Sequence, residues 1–354
     1  MPENLSSRRF QYADDTALAV QSIDFKTCED KINKDLATLL EYYKKWKLKS
    51  NPSKTELIIF HLNNKLVNQK LNINFDGIQI QHNIAPKYLG VNLDRSLTYR
   101  VHLERIAQKL STRNNIIIKL TGSGWGGNAN SLRTATLALV YSTAEYCCPV
   151  WLNSCHVSKI DEQLNRSMII ISGTLKSTPL PWLPVLTNIP PPHIRREDFL
   201  RREWEKYTKT PSIPLYDDIK NLPPLRLKSR NPGWPDNSGT YLTINDRWKR
   251  EWSTKKPYNY ELVENPDLKL PGFNLPRIEW SRLNRFRCGQ GRSNHLMKKW
   301  KLTNSELCED DGMIQTMKNL VEECPTYHFP GGINSLHVLE GGAVRWLSEL
   351  EKEV

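Results

Sequence analysis

The chain has 354 residues, of which 38% are hydrophobic, and a formal net charge of +12. That length accommodates two or three domains. A mean hydropathy of −0.57 implies modest cores, and the excess of lysine and arginine favours polyanionic partners, nucleic acid first among them. A soluble basic surface with no such partner is the competing reading. No apolar run of 18 residues is present, which excludes a membrane-spanning helix, and the opening MPENLSSRRF lacks the apolar centre of a secretory signal. Seven scattered cysteines exclude a secreted disulfide framework. They fit a reducing, intracellular setting, nuclear or cytoplasmic.

In chain order, FQYADDTALAV at 10–20 places Asp14 and Asp15 between two strand-forming runs. The pattern predicts a tight hairpin with both carboxylates at its tip, where they could share divalent cations; a solvated turn is the alternative. The pair at 310–311, before a glycine, reads as a plain turn, and the pair at 217–218, in a proline-rich stretch, reads as exposed. Apolar spacing predicts a helix over 28–49, then a turn at Asn51-Pro52-Ser53 and a strand over 55–60. Asp76-Gly77 joins strands at 73–75 and 78–80, and 88–93 reads as one further strand. Helices are expected over 99–120, 131–146 and 157–172. The glycine-rich 122–127 between the first two is not a phosphate loop, because no Gly-Lys-Ser/Thr follows. Sixteen of the 22 prolines lie between 179 and 276. That density predicts a long, partly extended connector with helices only near 195–209 and 245–252. A compact basic segment at 277–329 and a tail helix over 338–352 complete the chain. The expected fold class is α+β.

Five stretches in order resemble one family. FQYADDTALAV is similar to the metal-binding hairpin of reverse transcriptases. WKLKSNPSKTELIIF (46–60) resembles the next palm motif of non-LTR, LINE-type retrotransposon polymerases, and KYLGVNLDRSLTY (87–99) their primer grip and entry to the thumb. Residues 133–151 and 168–197 resemble the thumb and post-thumb segments of jockey-like elements, and 289–312 with 316–325 their C-terminal zinc-knuckle region. The resemblance implies a partial palm at 1–95, a helical thumb at 96–178, the proline-rich connector at 179–276, a knuckle-like segment at 277–329 and a tail at 330–354.

The same resemblance implies roles. Asp14 and Asp15 would bind Mg²⁺ beside the incoming nucleotide, with Tyr12 near the primer terminus. Lys54 would protonate or neutralise the departing pyrophosphate, against the alternative of a lysine in a turn. Lys87, Tyr88, Leu89 and Gly90 would hold the primer backbone, against the alternative of a buried edge strand. Arg100, Arg105, Lys109 and Arg113 would contact an RNA template and DNA primer, against the alternative of a solvated face. In the family a further palm aspartate and the fingers precede the hairpin, and only 13 residues precede Asp14. The expectation is a fragment that begins inside the palm, has an incomplete Mg²⁺ site and is inactive alone. Two-metal phosphoryl transfer needs ions about 3.5–4 Å apart held from more than one strand, and nothing recruits Asp76 or Asp94.

In the knuckle pattern, C-x-C then His then Cys, Cys308 and Cys324 hold the first and last positions. Asp310 and Asn319 stand where the second cysteine and the histidine belong. A bound zinc is therefore not expected, although Cys288 or His328 could substitute. Alternatives to a polymerase fragment are a non-catalytic nucleic-acid-binding remnant and a decayed mobile-element reading frame.

Overall fold

The computed structural model describes residues 2, 4–122, 126–213, 215–220 and 242–350. Part of the glycine-rich stretch, the centre of the proline-rich stretch and the last four residues lie outside them. The chain is mixed α and β, mostly helical with small sheets, and it divides into two compact units, Met1–His102 and Leu103–Val354.

In the first unit, β1 (Arg8–Tyr12) and β2 (Asp15–Ala19) form an antiparallel hairpin. Helix α1 (Phe25–Lys45) starts where Asp24 caps it, its carboxylate accepting from the Thr27 N–H at 2.7 Å. The short strands β3 (Glu56–Leu57), β4 (Asn74–Phe75), β5 (Ile78–Gln79) and β6 (Gln81–His82) follow. β4 and β5 pair antiparallel around Asp76 and Gly77, both at positive φ, as a type I′ turn requires. β3 pairs parallel with β6, so the strand expected over 55–60 is reduced to two residues. β7 (Lys87–Tyr88) and β8 (Val91–Asn92) pair antiparallel, so the stretch read as one strand over 88–93 is a hairpin. Its turn is Leu89-Gly90, both residues at positive φ. The core is small: Leu71, Ile73, Phe75 and Ile80 pack under Phe25, Ile32, Leu36 and Leu40. Asn33 stitches α1 to this layer, donating to the Asn72 carbonyl and accepting from the Asn74 N–H, both at 3.0 Å.

Helix α2 (Arg100–Lys119) runs close to the length that its sequence predicts. The helix expected over 131–146 is broken. α3 (Ala129–Thr136) passes through a π-helical turn at Leu137–Tyr141 into α4 (Ser142–Ala144), and Cys147, at φ 52°, ends the run before α5 (Cys148–Trp151). α6 (Ser158–Ser172) follows.

The described part of the proline-rich stretch is not an extended connector. It forms α7 (Trp182–Thr187), α8 (Pro192–Thr208), α9 (Leu215–Lys220) and α10 (Ile244–Lys255). Prolines sit at helix starts, Pro181 capping α7 and Pro191 and Pro192 opening α8, where a missing N–H costs nothing. Trp182, Trp248 and Trp252 then bury against Ile194, Leu270 and Cys288.

α11 (Arg277–Cys288), α12 (Asn294–Lys299), α13 (Met317–Glu322), α14 (Gly332–Val338) and α15 (Ala343–Glu349) complete the second unit. The tail helix expected over 338–352 is the shorter α15; Val338 instead ends α14, Gly341 and Gly342 at positive φ separate the two helices, and 351–352 lie outside the described residues. α11 seals the end of α6. Arg277 donates to the carbonyls of Ile170 and Ile171, Trp280 Nε1 to Ile171 at 3.1 Å, Asn284 to Ser172 at 2.9 Å and Arg285 to Gly173 at 3.1 Å. Carbonyls that a helix end leaves without intrahelical partners are thus met by side chains of one other helix.

Candidate functional site

The carboxylate hairpin forms as its sequence suggests. Tyr12 pairs with Asp15, leaving Ala13 and Asp14 as the two central turn residues, and Ala13 alone takes positive φ, at 52°. Asp14 lies in the turn and Asp15 opens β2, and both are exposed. Tyr12 is 66% and Phe10 40% exposed, and no hairpin residue joins the core of the unit. The hairpin is held from below instead. The N–H groups of Ser6 and Ser7 donate to Asp35 at 3.0 and 2.7 Å. Burial works to raise the Asp35 pKa, but these bonds, with those from the serine side chains, outweigh it and hold the carboxyl below its ordinary value.

Hard carboxylate oxygens suit Mg²⁺, and Asp14 and Asp15 supply two such groups on adjacent residues. Among the described residues no third His, Cys, Asp or Glu joins them. One group of three or more such side chains has its ligand atoms mutually within 4.8 Å, and it lies elsewhere, at Cys308, Asp310 and Cys324. The hairpin thus presents two carboxylates with no third metal-ligating side chain beside them among the described residues.

Lys54 ends an exposed 3₁₀ turn, Pro52–Lys54. Lys87 and Leu89 are exposed on the β7–β8 hairpin, with Tyr88 and Gly90 half-buried. Leu89 sits at φ 43°, a conformation that costs a branched L-residue about 1–2 kcal/mol. On α2, Arg100, Arg105 and Lys109 are exposed, but Arg113 is half-buried and donates to the Leu139 carbonyl and the Thr143 hydroxyl. Its guanidinium ties α2 to the π-helical turn and α4. The regular four-residue basic spacing gave no sign of that difference.

At the knuckle-like segment, Cys308 and Cys324 come together with their sulfurs 3.7 Å apart, both buried. Asp310 Oδ2 lies 3.4 Å from the Cys324 sulfur and 4.0 Å from that of Cys308. Burial, first, raises the Cys324 thiol pKa, and hydrogen bonds with Cys308 and Asp310 push the same way. Asn319 turns its amide nitrogen to the acids Asp311 and Glu323, at 2.9 and 3.3 Å. A structural zinc takes four donors; the described side chains bring three, and the amide nitrogen at the histidine position is engaged elsewhere. The set does not fit a closed zinc site. Gln315, whose Nε2 lies 3.4 Å from the Cys308 sulfur, escaped the sequence reading, because nothing in its spacing marks it.

Also unread in the sequence is a cavity of about 210 Å³ in the second unit, lined by Asp161, His193, Trp248, Glu251 and Lys255 among others. His193 Nε2 and Glu251 Oε2 are 2.7 Å apart. Burial favours neutral Glu251, yet bonds from His193 and Lys255 prevail and lower its pKa to about 2. No local motif announces a pair separated by 58 positions.

Comparison with known proteins gives distant relatives of one kind. A retrovirus-related Pol polyprotein from the type-1 retrotransposable element R1 4 of Nasonia vitripennis is 24% identical over 342 residues, covering 89% of this chain and 83% of that protein. A probable RNA-directed DNA polymerase from transposon BS of Drosophila melanogaster is 30% identical over 159 residues, 45% of this chain but 17% of the polymerase. The RNA-directed DNA polymerase from mobile element jockey of Drosophila funebris is 30% identical over 102 residues, 29% of this chain and 11% of its own length. No family model and no solved structure matches the chain. The chain is therefore distantly related to the RNA-directed DNA polymerases of non-LTR retrotransposons. No helix among the described residues is long and apolar enough to cross a membrane.

Proposed function

We propose that this chain is the portion of a non-LTR reverse transcriptase that carries the second part of the palm and the thumb. Its work is to hold primer and template and to contribute Asp14 and Asp15 to a Mg²⁺ site completed by other residues. The observation that carries this reading is the Tyr12–Asp15 hairpin. A tight hairpin presents adjacent carboxylates to solvent, Asp14 in its turn and Asp15 at the start of β2, in a chain related to polymerases. Mg²⁺ bound there would supply charge neutralisation for a phosphoryl group. The residues of this chain would orient the primer. Lys87 on β7 and Gly90 in the β7–β8 turn offer a cation and a close backbone approach, and Arg105 and Lys109 present exposed positive charge on α2. Arg113 serves packing instead, and Lys54 keeps a minor part as an exposed cation.

Primer extension on an RNA template with Mg²⁺ tests the proposal, comparing the purified chain with the double variant Asp14→Asn, Asp15→Asn. With two carboxylates and no third, the chain alone is expected to bind primer–template without extending it. Binding should weaken steeply with salt and weaken again in Arg105→Ala, Lys109→Ala. Extension lost in the aspartate variant would mean that a complete metal site forms from this chain. Binding indifferent to both salt and the α2 charges would defeat the nucleic-acid reading and leave a decayed reading frame.

A further inference from the structure

We propose that Cys308 and Cys324 are a redox pair, two thiols that close reversibly into a disulfide and so clip the turn at 308–313 to the end of α13. Two buried sulfurs lie 3.7 Å apart, at 2% and 0% exposure, without a fourth donor to complete a metal site. A disulfide needs the sulfurs at about 2.05 Å, with Cβ atoms facing each other. The sulfurs are already in contact at 3.7 Å, so closure requires them to approach further, to bonding distance.

The surroundings permit that approach from one side only. Cys324 sits two residues beyond α13, its N–H bonded to the Asn319 carbonyl at 2.8 Å, in a region anchored through Met317, Leu320 and Val321 to the main C-terminal core. Cys308 begins a surface turn: its N–H bonds to Met313 and its carbonyl accepts from Gly312, with Glu309, Asp310, Gly312, Met313 and Ile314 exposed. Local opening of such a turn is cheap compared with opening the core. It would admit a small peroxide to Cys308 and leave Cys324 in place as the resolving partner.

The reaction balances with hydrogen peroxide as the oxidant. Cys308 attacks one peroxide oxygen, the O–O bond breaks, and Cys308 sulfenic acid and one water result. The Cys324 sulfur then displaces the hydroxyl group, the S–S bond forms, and a second water leaves. Both thiol hydrogens end in the two waters, two electrons pass to the peroxide, and a dithiol reductant reverses the change. The other cysteines include an adjacent pair, Cys147 and Cys148, and the exposed Cys155; these act as internal controls.

The test uses the full chain, reduced, freed of reductant and treated with hydrogen peroxide. After quenching it is alkylated under denaturing conditions and digested. The expected product is a single cross-linked peptide pair containing Cys308 and Cys324, lighter by two hydrogens than the free peptides. It should vanish after dithiothreitol and be absent from Cys308→Ser. The thermal midpoint of the wild type should rise on oxidation and fall back on reduction, with no rise in Cys324→Ser. Because the wild type alone carries the mapping result, a poorly folded variant does not blunt the test. The idea is overturned if both thiols remain alkylatable while Cys155 or the 147–148 pair is consumed. It is equally overturned if cross-links join only separate molecules, or if untreated protein retains zinc that shields both sulfurs from alkylation.

Discussion

The two units are built on different principles. Met1–His102 buries four apolar side chains at its centre while leaving Ile23, Trp46, Phe60 and Ile84 open to solvent. Polar stitches from α1 to backbone groups, through Asn33 and Asp35, hold its short strands. Leu103–Val354 instead buries whole tryptophans, Trp151, Trp182 and Trp280 among them, each with its indole N–H satisfied by a carbonyl. Loss of one buried ring from the second unit removes packing and leaves a carbonyl unpaired at the same time.

The sharpest way to break that contrast is Trp182→Ala. It removes a fully buried ring stacked edge-on against Trp252 at 5.0 Å and orphans the Tyr258 carbonyl. A loss of about 3–5 kcal/mol is expected in urea titrations followed by circular dichroism. Ile23→Ala, at a fully exposed position of the first unit, should stay within about 0.5 kcal/mol. Similar losses at the two sites would erase the distinction.

Next in size is Gly173→Ala. Gly173 ends α6 at φ 68°, and an added Cβ would stand 1.9 Å from the Ser281 hydroxyl oxygen on α11. Left-handed strain and overpacking together predict about 2–4 kcal/mol. Gly77→Ala, where a Cβ would meet nothing within 4 Å, should incur the strain alone.

Acid offers a third probe. Arg287 is wholly buried with neutral acceptors, His337 Nδ1 at 3.0 Å, Asn284 Oδ1 at 3.1 Å and the carbonyls of Pro271 and His337. Burial, and then the Arg287 charge, depress the His337 pKa to about 3 from 6.5. The unfolded chain therefore binds a proton that the folded chain refuses. This contribution is complete above about pH 6.5 and is lost as pH falls towards 3. Melts from pH 7.5 to 4.5 should show the fall, and His337→Asn, which keeps an acceptor but cannot ionise, should lessen it. An unchanged slope in the variant would assign the acid response to other groups.

The smallest expected effect has the opposite sign. Leu89→Gly should stabilise the first unit by about 0.5–1 kcal/mol, since relief of left-handed strain slightly exceeds the entropy that glycine adds to the unfolded chain. A loss would show that the Leu89 side chain makes a contact worth more than the strain.

These differences also explain what could be read in advance. Periodicity sufficed for α2, α6 and α8 because each repeats apolar residues on one face, interrupted only by single polar residues such as Asn114 and Ser167, and Asp76-Gly77 marked its turn chemically. The β7–β8 hairpin was hidden because leucine is a poor signal for positive φ. The Trp182–Trp252 contact was hidden because its halves lie 70 positions apart among prolines that look disruptive until they are seen at helix starts. Tryptophan density was the overlooked clue. At the candidate sites, the Asp14–Asp15 turn was legible from its flanking strands, and motif order singled out Cys308 and Cys324 without saying that their sulfurs touch. The internal engagement of Arg113 was not, since helical spacing says which face a side chain occupies and nothing about what waits there.

The sealing of α6 by α11 also sets a timetable. Ile171 and the Arg277 that meets its carbonyl are 106 positions apart. At ribosomal speeds of about 5–20 residues per second, the end of α6 emerges roughly 5–20 s before its cap exists. During that interval its terminal carbonyls have only water to bind, and the growing chain must stay soluble with its central helix unfinished. Synthesis of the second unit is therefore a wait for residues 277–285, and a ribosome stalled before them would release a chain in which the end of α6 cannot be capped.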